Sequence, residues 1–191
     1  MTISHELKII FIHIQRTGGS SIINMLKGRL GKKLIIVSQH GNAQSEEATL
    51  LKDYPDYTVF TFVRNPWDRI LSWYQLINKH NILSIEEDRS AFENFLLMDH
   101  AANPDDNYFH YNQLEYLISP YRDIKDINIY RFENFSNEVQ RLWSYLNIIP
   151  GASTKTNGTI PVDYRNFYTE KSKALIREKC ALDINHFDYS F

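Results

Sequence analysis

An α/β fold, a single domain with a mainly parallel central sheet flanked by helices, is what this sequence predicts, and three observations predict it. Short runs of β-branched and aromatic residues alternate with segments whose apolar residues recur at helical spacing. The chain has 191 residues, 43% hydrophobic and 23% charged, the content of an ordinary soluble domain with one core. No repeat, linker or low-complexity tract divides it, so residues 1–191 read as one domain.

The run Lys8–Ile14 is β-branched and aromatic and stops at a glycine-containing turn, after which Ile22, Ile23, Leu26 and Leu30 follow at helical spacing. This is a strand, a loop and a helix. Leu34–Val37 and Thr58–Val63 read as a second and third strand, with a helix over Gln44–Lys52 between them. After the third strand, Asn65 suits an N-cap, Pro66 the first helical position and Asp68 the first turn. That helix should reach about Lys79. Ala91–Met98 and Gln113–Ile118 read as short helices around a polar, aromatic loop. Ile127–Phe132 is a fourth strand, followed by a helix carrying Val139, Leu142, Trp143 and Leu146. Pro150–Pro161 lacks an apolar period and reads as loop, and Thr169 caps a last helix reaching about Leu182.

Composition excludes several classes of function. A formal net charge of −2 provides no global attraction to nucleic acid or to an anionic membrane, so an anion site has to be local. Cys180 is the only cysteine, which rules out an intrachain disulfide and a cysteine-based metal site. The polar Met1–Lys8 and the short apolar run Ile9–Ile14 suit neither a secretory signal nor a membrane span. A soluble, cytoplasmic protein is expected.

Ligand sites in open α/β sheets lie at the carboxyl ends of the strands, and two segments sit at such ends. In Gln15-Arg16-Thr17-Gly18-Gly19-Ser20-Ser21 two glycines let the backbone approach a ligand. Amide N–H groups face out of the helix N-terminus there, and Ser20 and Ser21 add hydroxyl donors. The alternative is a tight turn whose serines only cap the helix. A nucleoside-triphosphate loop would need Gly-x-x-x-x-Gly-Lys-Ser/Thr; here the basic residue precedes the glycines and no lysine follows them. In the second segment, Arg64 ends the third strand and Ser72 lies about two turns into the next helix. Arg64 can hold a phosphate bidentately and Ser72 can donate to it; alternatively Arg64 or Arg69 pairs with Asp68.

Phe11-Ile-His-Ile-Gln-Arg-Thr-Gly-Gly-Ser-Ser21 resembles the 5′-phosphosulfate loop of carbohydrate sulfotransferases, particularly the heparan sulfate 6-O-sulfotransferases and their bacterial relatives. Phe62-Val-Arg-Asn-Pro-Trp-Asp-Arg-Ile-Leu-Ser72 is similar to that family's 3′-phosphate motif. The likeness continues in Tyr111-Asn-Gln-Leu, Tyr130-Arg-Phe-Glu-Asn-Phe135 and Asp183-Ile-Asn-His-Phe-Asp-Tyr189, in family order over nearly the whole chain. It implies a P-loop-like fold and 3′-phosphoadenosine 5′-phosphosulfate (PAPS) as co-substrate, with 3′,5′-ADP as product and no metal. It further implies that Arg16, Thr17, Gly18, Gly19, Ser20 and Ser21 hold the 5′-phosphosulfate while Arg64 and Ser72 hold the 3′-phosphate. Arg16 stands where the family usually has lysine. An arginine supplies the same positive charge without releasing a proton, its pKa exceeding ~12. A phosphate leaving group with a second pKa of about 6 departs near neutrality unprotonated.

His40, in Ser38-Gln-His-Gly-Asn42, follows the second strand and reaches the same sheet edge. A neutral imidazole with a pKa near ~6.5 is suited to take a proton from an attacking hydroxyl. The resemblance implies the same role, which makes His40 and Arg16 the catalytic candidates. His13 lies in a strand and reads as a hydrogen-bonded structural residue, whereas His110 sits in the aromatic loop. Tyr108, Phe109, Tyr111, Asn112 and Gln113 suit sugar recognition or ordinary packing. Arg131 and Glu133 are either site residues or a structural pair, and Thr154–Thr159 is either a second 3′-phosphate contact or a polar surface loop.

Transfer of a sulfuryl group from PAPS to a hydroxyl, with a saccharide as the acceptor the resemblance implies, is the expected activity. Two alternatives stay open: an inactive or weak nucleotide-binding module, and an atypical P-loop-like kinase.

Overall fold

Five strands form one sheet in the order β3-β1-β2-β4-β5: β1 (Thr2–Ser4), β2 (Ile9–Ile12), β3 (Ile35–Ile36), β4 (Thr58–Val63) and β5 (Ile127–Arg131). The structure is a computed structural model that describes residues 1–41, 45–78, 85–98, 109–148 and 163–191. Its internal contacts divide the chain into two compact units, Met1–Arg64 with Glu115–Asn157, and Asn65–Leu114 with Gly158–Phe191.

In the first unit β2, β4 and β5 are parallel, with Phe11 opposite Phe60 and Phe62 opposite Tyr130. These cross-strand rings stack at centroid separations of 4.9 and 5.2 Å. Such pairs fix strand register, because a slip by one residue would move every ring to the other face. Helices α1 (Gly19–Leu30) and α5 (Phe135–Tyr145) close over the rings. Ile22, Ile23, Leu26 and Leu30 of α1, and Val139, Leu142 and Trp143 of α5, share one apolar cluster with Phe11, Phe60, Phe62 and Tyr130. The helical spacing read from the sequence therefore marks the faces that are buried.

β1 is a strand that the sequence reading did not identify. It pairs antiparallel with both β2 and β3, so Thr2 and Ser4 are buried although polar. Two antiparallel steps return the direction: β3 runs the same way as β2, and its carboxyl end lies at the same edge of the sheet. β3 is shorter than the predicted Leu34–Val37, and as an edge strand it leaves Ile35 and Ile36 exposed. The segment predicted as a helix over Gln44–Lys52 is a 3₁₀ turn at Glu46–Ala48 leading into α2 (Thr49–Asp53); Gln44 lies outside the described residues.

The second unit contains α3 (Pro66–Ile77), α4 (Ile85–Leu97), α6 (Glu170–Lys179) and α7 (Ala181–Phe187). The Asn65 side chain accepts from the Trp67 amide at 3.1 Å with Pro66 at the first helical position, the predicted cap. Thr169 caps α6 in a box with Ser172. Predicted as one helix to about Leu182, the C-terminal segment breaks at Cys180. There Asn112 Oδ1 accepts from the amides of Leu182 and Asp183 and starts α7 as a separate helix. Gln113–Tyr116 is a 3₁₀ turn rather than a longer helix. Trp67, Ile70, Tyr74, Phe92, Leu96, Tyr168 and Cys180 form this unit's core.

Two buried charges organise it. Arg69, fully buried, donates to the carbonyls of His110 and Tyr111 and lies over the Phe109 ring. Asp183, also fully buried, accepts from the Gln113 amide, the Gln113 Nε2 and the Leu114 amide at 2.7–2.9 Å. Burial pushes the Asp183 carboxyl up, while those donors and Arg69 pull it back. Asp183→Ala would leave buried amides without an acceptor and should cost about 3 kcal/mol. Asp183→Asn, which keeps one acceptor oxygen, should cost less. Urea unfolding curves measure both, and a wild-type midpoint for the alanine variant would refute the assignment.

Candidate active site

Where β2 ends, the chain turns into α1 through two residues of positive φ, Arg16 at 65° and Gly18 at 85°. The Gly18 carbonyl accepts from the amides of Ser21 and Ile22 at 3.0 and 3.3 Å, so the helix starts directly after it. Gly18 itself is the N-cap, so the cap residue has no side chain to satisfy the first-turn amides. Ser20 and Ser21, both half-buried, stand in the first turn of a twelve-residue helix whose leading amides point outward, the arrangement that receives anions. Thr17 is fully buried and its hydroxyl donates to the Ile14 carbonyl at 2.8 Å, so its side chain is engaged within the loop. Arg16, at the first positive-φ position of the loop, is half-buried.

Four neighbours hold this turn. The Arg64 guanidinium donates to the Arg16 carbonyl at 3.1 Å and lies 4.3 Å over the Phe132 ring. Phe132 and Phe135 pack in turn against Gly18: a Cβ there would sit 2.7 Å from Phe135 Cε2 and 3.0 Å from Phe132 Cε2. Tyr116, fully buried, donates to Gln15 Oε1 at 3.1 Å. At Gly19 an added Cβ would fall inside the His13 ring.

His13 caps the end of β2, 3% exposed, with its ring 4.8 Å from that of the half-buried His40. Expected as a hydrogen-bonded structural histidine, His13 has Nδ1 without a partner, and its polar contact is the facing Gln39 backbone, which draws its pKa upward. Burial, and then the nearby His40 charge, push the His13 pKa down to about 3. Burial also holds His40 below the ordinary histidine range, with the facing His13 backbone pulling the other way. Both imidazoles are therefore neutral at pH 7, the form in which His40 can accept a proton.

Loop, His40 and Arg64 are thus all found in the first unit. Ser72 is in the second, on α3 and 2% exposed. The sugar-recognition cluster resolves into structural parts: Asn112 Nδ2 donates to the Lys179 carbonyl, Gln113 serves Asp183, and Phe109 stacks on Trp73 at 3.4 Å. Tyr108 and Thr154–Thr159 lie outside the described residues. Arg131 and Glu133 are exposed. Sequence reasoning missed Phe132, Phe135 and Tyr116 as supports of the loop. The aromatic pair three residues apart after the fourth strand was visible, but nothing in the sequence aims it at Gly18.

A glycine-capped helix N-terminus at the carboxyl edge of a largely parallel sheet, with a neutral histidine beside it, is an arrangement suited to group transfer in an α/β protein. The chain matches the model of the Sulfotransferase family over residues 1–189, and it belongs to that family. Its fold is similar to the crystal structure of mouse sulfotransferase SULT7A1 complexed with PAP, at a TM-score of 0.56 and 14% identity, over 98% of this chain and 90% of that one. A sulfotransferase from Alicyclobacillus acidocaldarius matches at a TM-score of 0.43 and 14% identity, over 96% of each chain. No curated protein matches the sequence. Among the described residues no helix is long and apolar enough to cross a membrane.

The positive φ at Gly18 and its contact with Phe135 set a test. Gly18→Ala should destabilise by about 2 kcal/mol, part strain and part overpacking. Phe135→Leu frees space, so in a double-mutant cycle the pair should cost less than the sum of the singles. Strict additivity would show that Phe135 does not press on the loop.

Proposed function

We propose that this sulfotransferase takes PAPS as donor and transfers its sulfuryl group to a hydroxyl of a saccharide, in a reducing cytoplasmic setting. The observation that carries the reading is the N-terminus of α1 behind Gly18 and Gly19, a glycine-capped helix start suited to an anion, with Arg16 in the same loop. The PAP bound to the mouse relative supports the choice of donor. The saccharide acceptor rests on the motif resemblance.

In this reading the loop amides, Ser20 and Ser21 hold the 5′-phosphosulfate, and Arg64 with Ser72 holds the 3′-phosphate. His40 takes the proton of the acceptor hydroxyl as its oxygen bonds to sulfur. The bond between sulfur and the bridging phosphate oxygen breaks, and its electron pair leaves with 3′,5′-ADP. Arg16 and the loop amides stabilise the charge gathering on that phosphate. Transfer of this kind depends mainly on position and electrostatics.

Arg64 has a second task, since it also fastens the Arg16 carbonyl. Calorimetric titration with 3′,5′-ADP, 5′-AMP and ATP tests the donor site. The wild type should prefer 3′,5′-ADP, and Arg64→Ala should erase the preference over 5′-AMP; preference for ATP with magnesium would overturn the reading. With labelled PAPS and a glycan panel, His40→Gln should lower kcat by about 10²–10⁴-fold with little change in nucleotide Kd. Arg16→Ala should lower turnover more than it weakens nucleotide binding. Turnover should rise with pH through the His40 titration, below the usual ~6.5, and then level off. A rate independent of pH across that range would remove His40 from the mechanism.

A further inference from the structure

We propose that His13 is a positioning residue that ties the anion loop to the base: its ring is the floor beneath Gly19 and, through the Gln39 backbone, it holds the Ser38–Gly41 turn that presents His40. The proposal rests on the reading of His40 as the base.

The contacts run in both directions between the two segments. The His13 ring faces the backbone of Gln39, the residue before His40, and the His40 ring faces the backbone of His13, each backbone drawing the facing imidazole's pKa upward. The two rings pack at 4.8 Å with their planes tilted by 54°. On its other face His13 stacks with Phe11 at 5.7 Å, and Phe11 belongs to the rigid aromatic core of the sheet. Gly19 can have no side chain because this ring fills the space where one would be. One imidazole therefore sets the height of the loop above the sheet and the place of the base beside it.

Stability alone does not account for a histidine here. Its Nδ1 is buried with no partner, a condition that penalises the fold. A phenylalanine would fill the same volume beneath Gly19 with no unpaired nitrogen. What phenylalanine lacks is a polar ring edge toward the Gln39 backbone. Groups that sacrifice stability for geometry are expected where a protein positions reactants.

Among the described residues, few charged or titratable groups surround the pair. The Met1 ammonium donates to the Ser38 carbonyl and Oγ at 2.8 and 2.9 Å. Burial lowers its pKa to about 6, with Glu47 pulling the other way. Glu47 also packs beside Gly41. With His13 neutral, His40 is the ring of the pair that protonates first as pH falls.

The test uses the ligand-free protein with ring-labelled histidine, following the imidazole resonances by NMR against pH, with His40 assigned through His40→Gln. In the wild type His13 should not titrate above about pH 4. In His13→Phe the turn loses its anchor, His40 gains solvent, and its midpoint should move up toward ~6.5. Thermal stability of His13→Phe should equal or exceed that of the wild type. Gly19→Ala, which pushes the same ring from the loop side, should move the His40 midpoint in the same direction, and it serves as the second variant should His13→Phe misfold. An unchanged His40 midpoint in a folded variant overturns the proposal.

With the glycan assay, His13→Phe should lower kcat about tenfold or more while leaving 3′,5′-ADP affinity within about threefold. A spacer role would leave kcat at the wild-type value and would likewise overturn the proposal. Failure of the wild type to bind 3′,5′-ADP would instead remove the donor reading, and the NMR result would still decide whether His13 holds His40.

Discussion

The Phe132 ring holds the site together. One side of it receives the Arg64 guanidinium and an edge of it presses on Gly18, while Arg64 also clasps the Arg16 carbonyl. A turn with two positive-φ residues is unstable alone, because arginine at such a backbone angle is strained. Here an aromatic face and a charge-assisted hydrogen bond over-determine it. Preorganisation of this kind lets backbone amides point at an anion before the anion arrives, so that none of the reorganisation falls on the reaction itself.

Such dependence explains why the family likeness extends beyond the loop. Tyr130-Arg-Phe-Glu-Asn-Phe135 contains no anion-binding signature, yet its two phenylalanines decide the loop's shape. The sheet delivers them: β5 lies beside β4 and β4 beside β2, which places Phe132, Arg64 and His13 just beyond three neighbouring strand ends. β3, turned back into the same direction by the reversed β1, adds His40 to that edge. Parallel strand direction, more than proximity in sequence, gathers the chemistry.

Much of this was legible in the chain. Periodicity located α1, α3 and α5, and Asn65-Pro66 and Thr169 marked helix starts that the structure bears out, since capping is a local property. The strand–loop–helix with its glycines was readable for the same reason. β1 was not: Thr2 and Ser4 are polar and become buried only because strands pair on both sides of them, a long-range fact. The break at Cys180 was hidden for a similar reason, as its cause is Asn112, far away in sequence. Asn112 and Gln113 looked like groups for binding sugar hydroxyls, but a helix start and a buried carboxylate use them. Amide side chains carry no mark distinguishing an internal partner from an external one.

Cys180 is fully buried in the core of the second unit, its thiol 3.4 Å from the Tyr111 carbonyl, and it is the single sulfhydryl of the chain. A thiol so enclosed reacts with an alkylating reagent only when its surroundings come apart. The protein therefore holds a native chemical clock for the opening of the helical unit, silent to events confined to the sheet. Its labelling rate, compared with loss of the first unit's signals, would show whether the two units unfold as one or in succession.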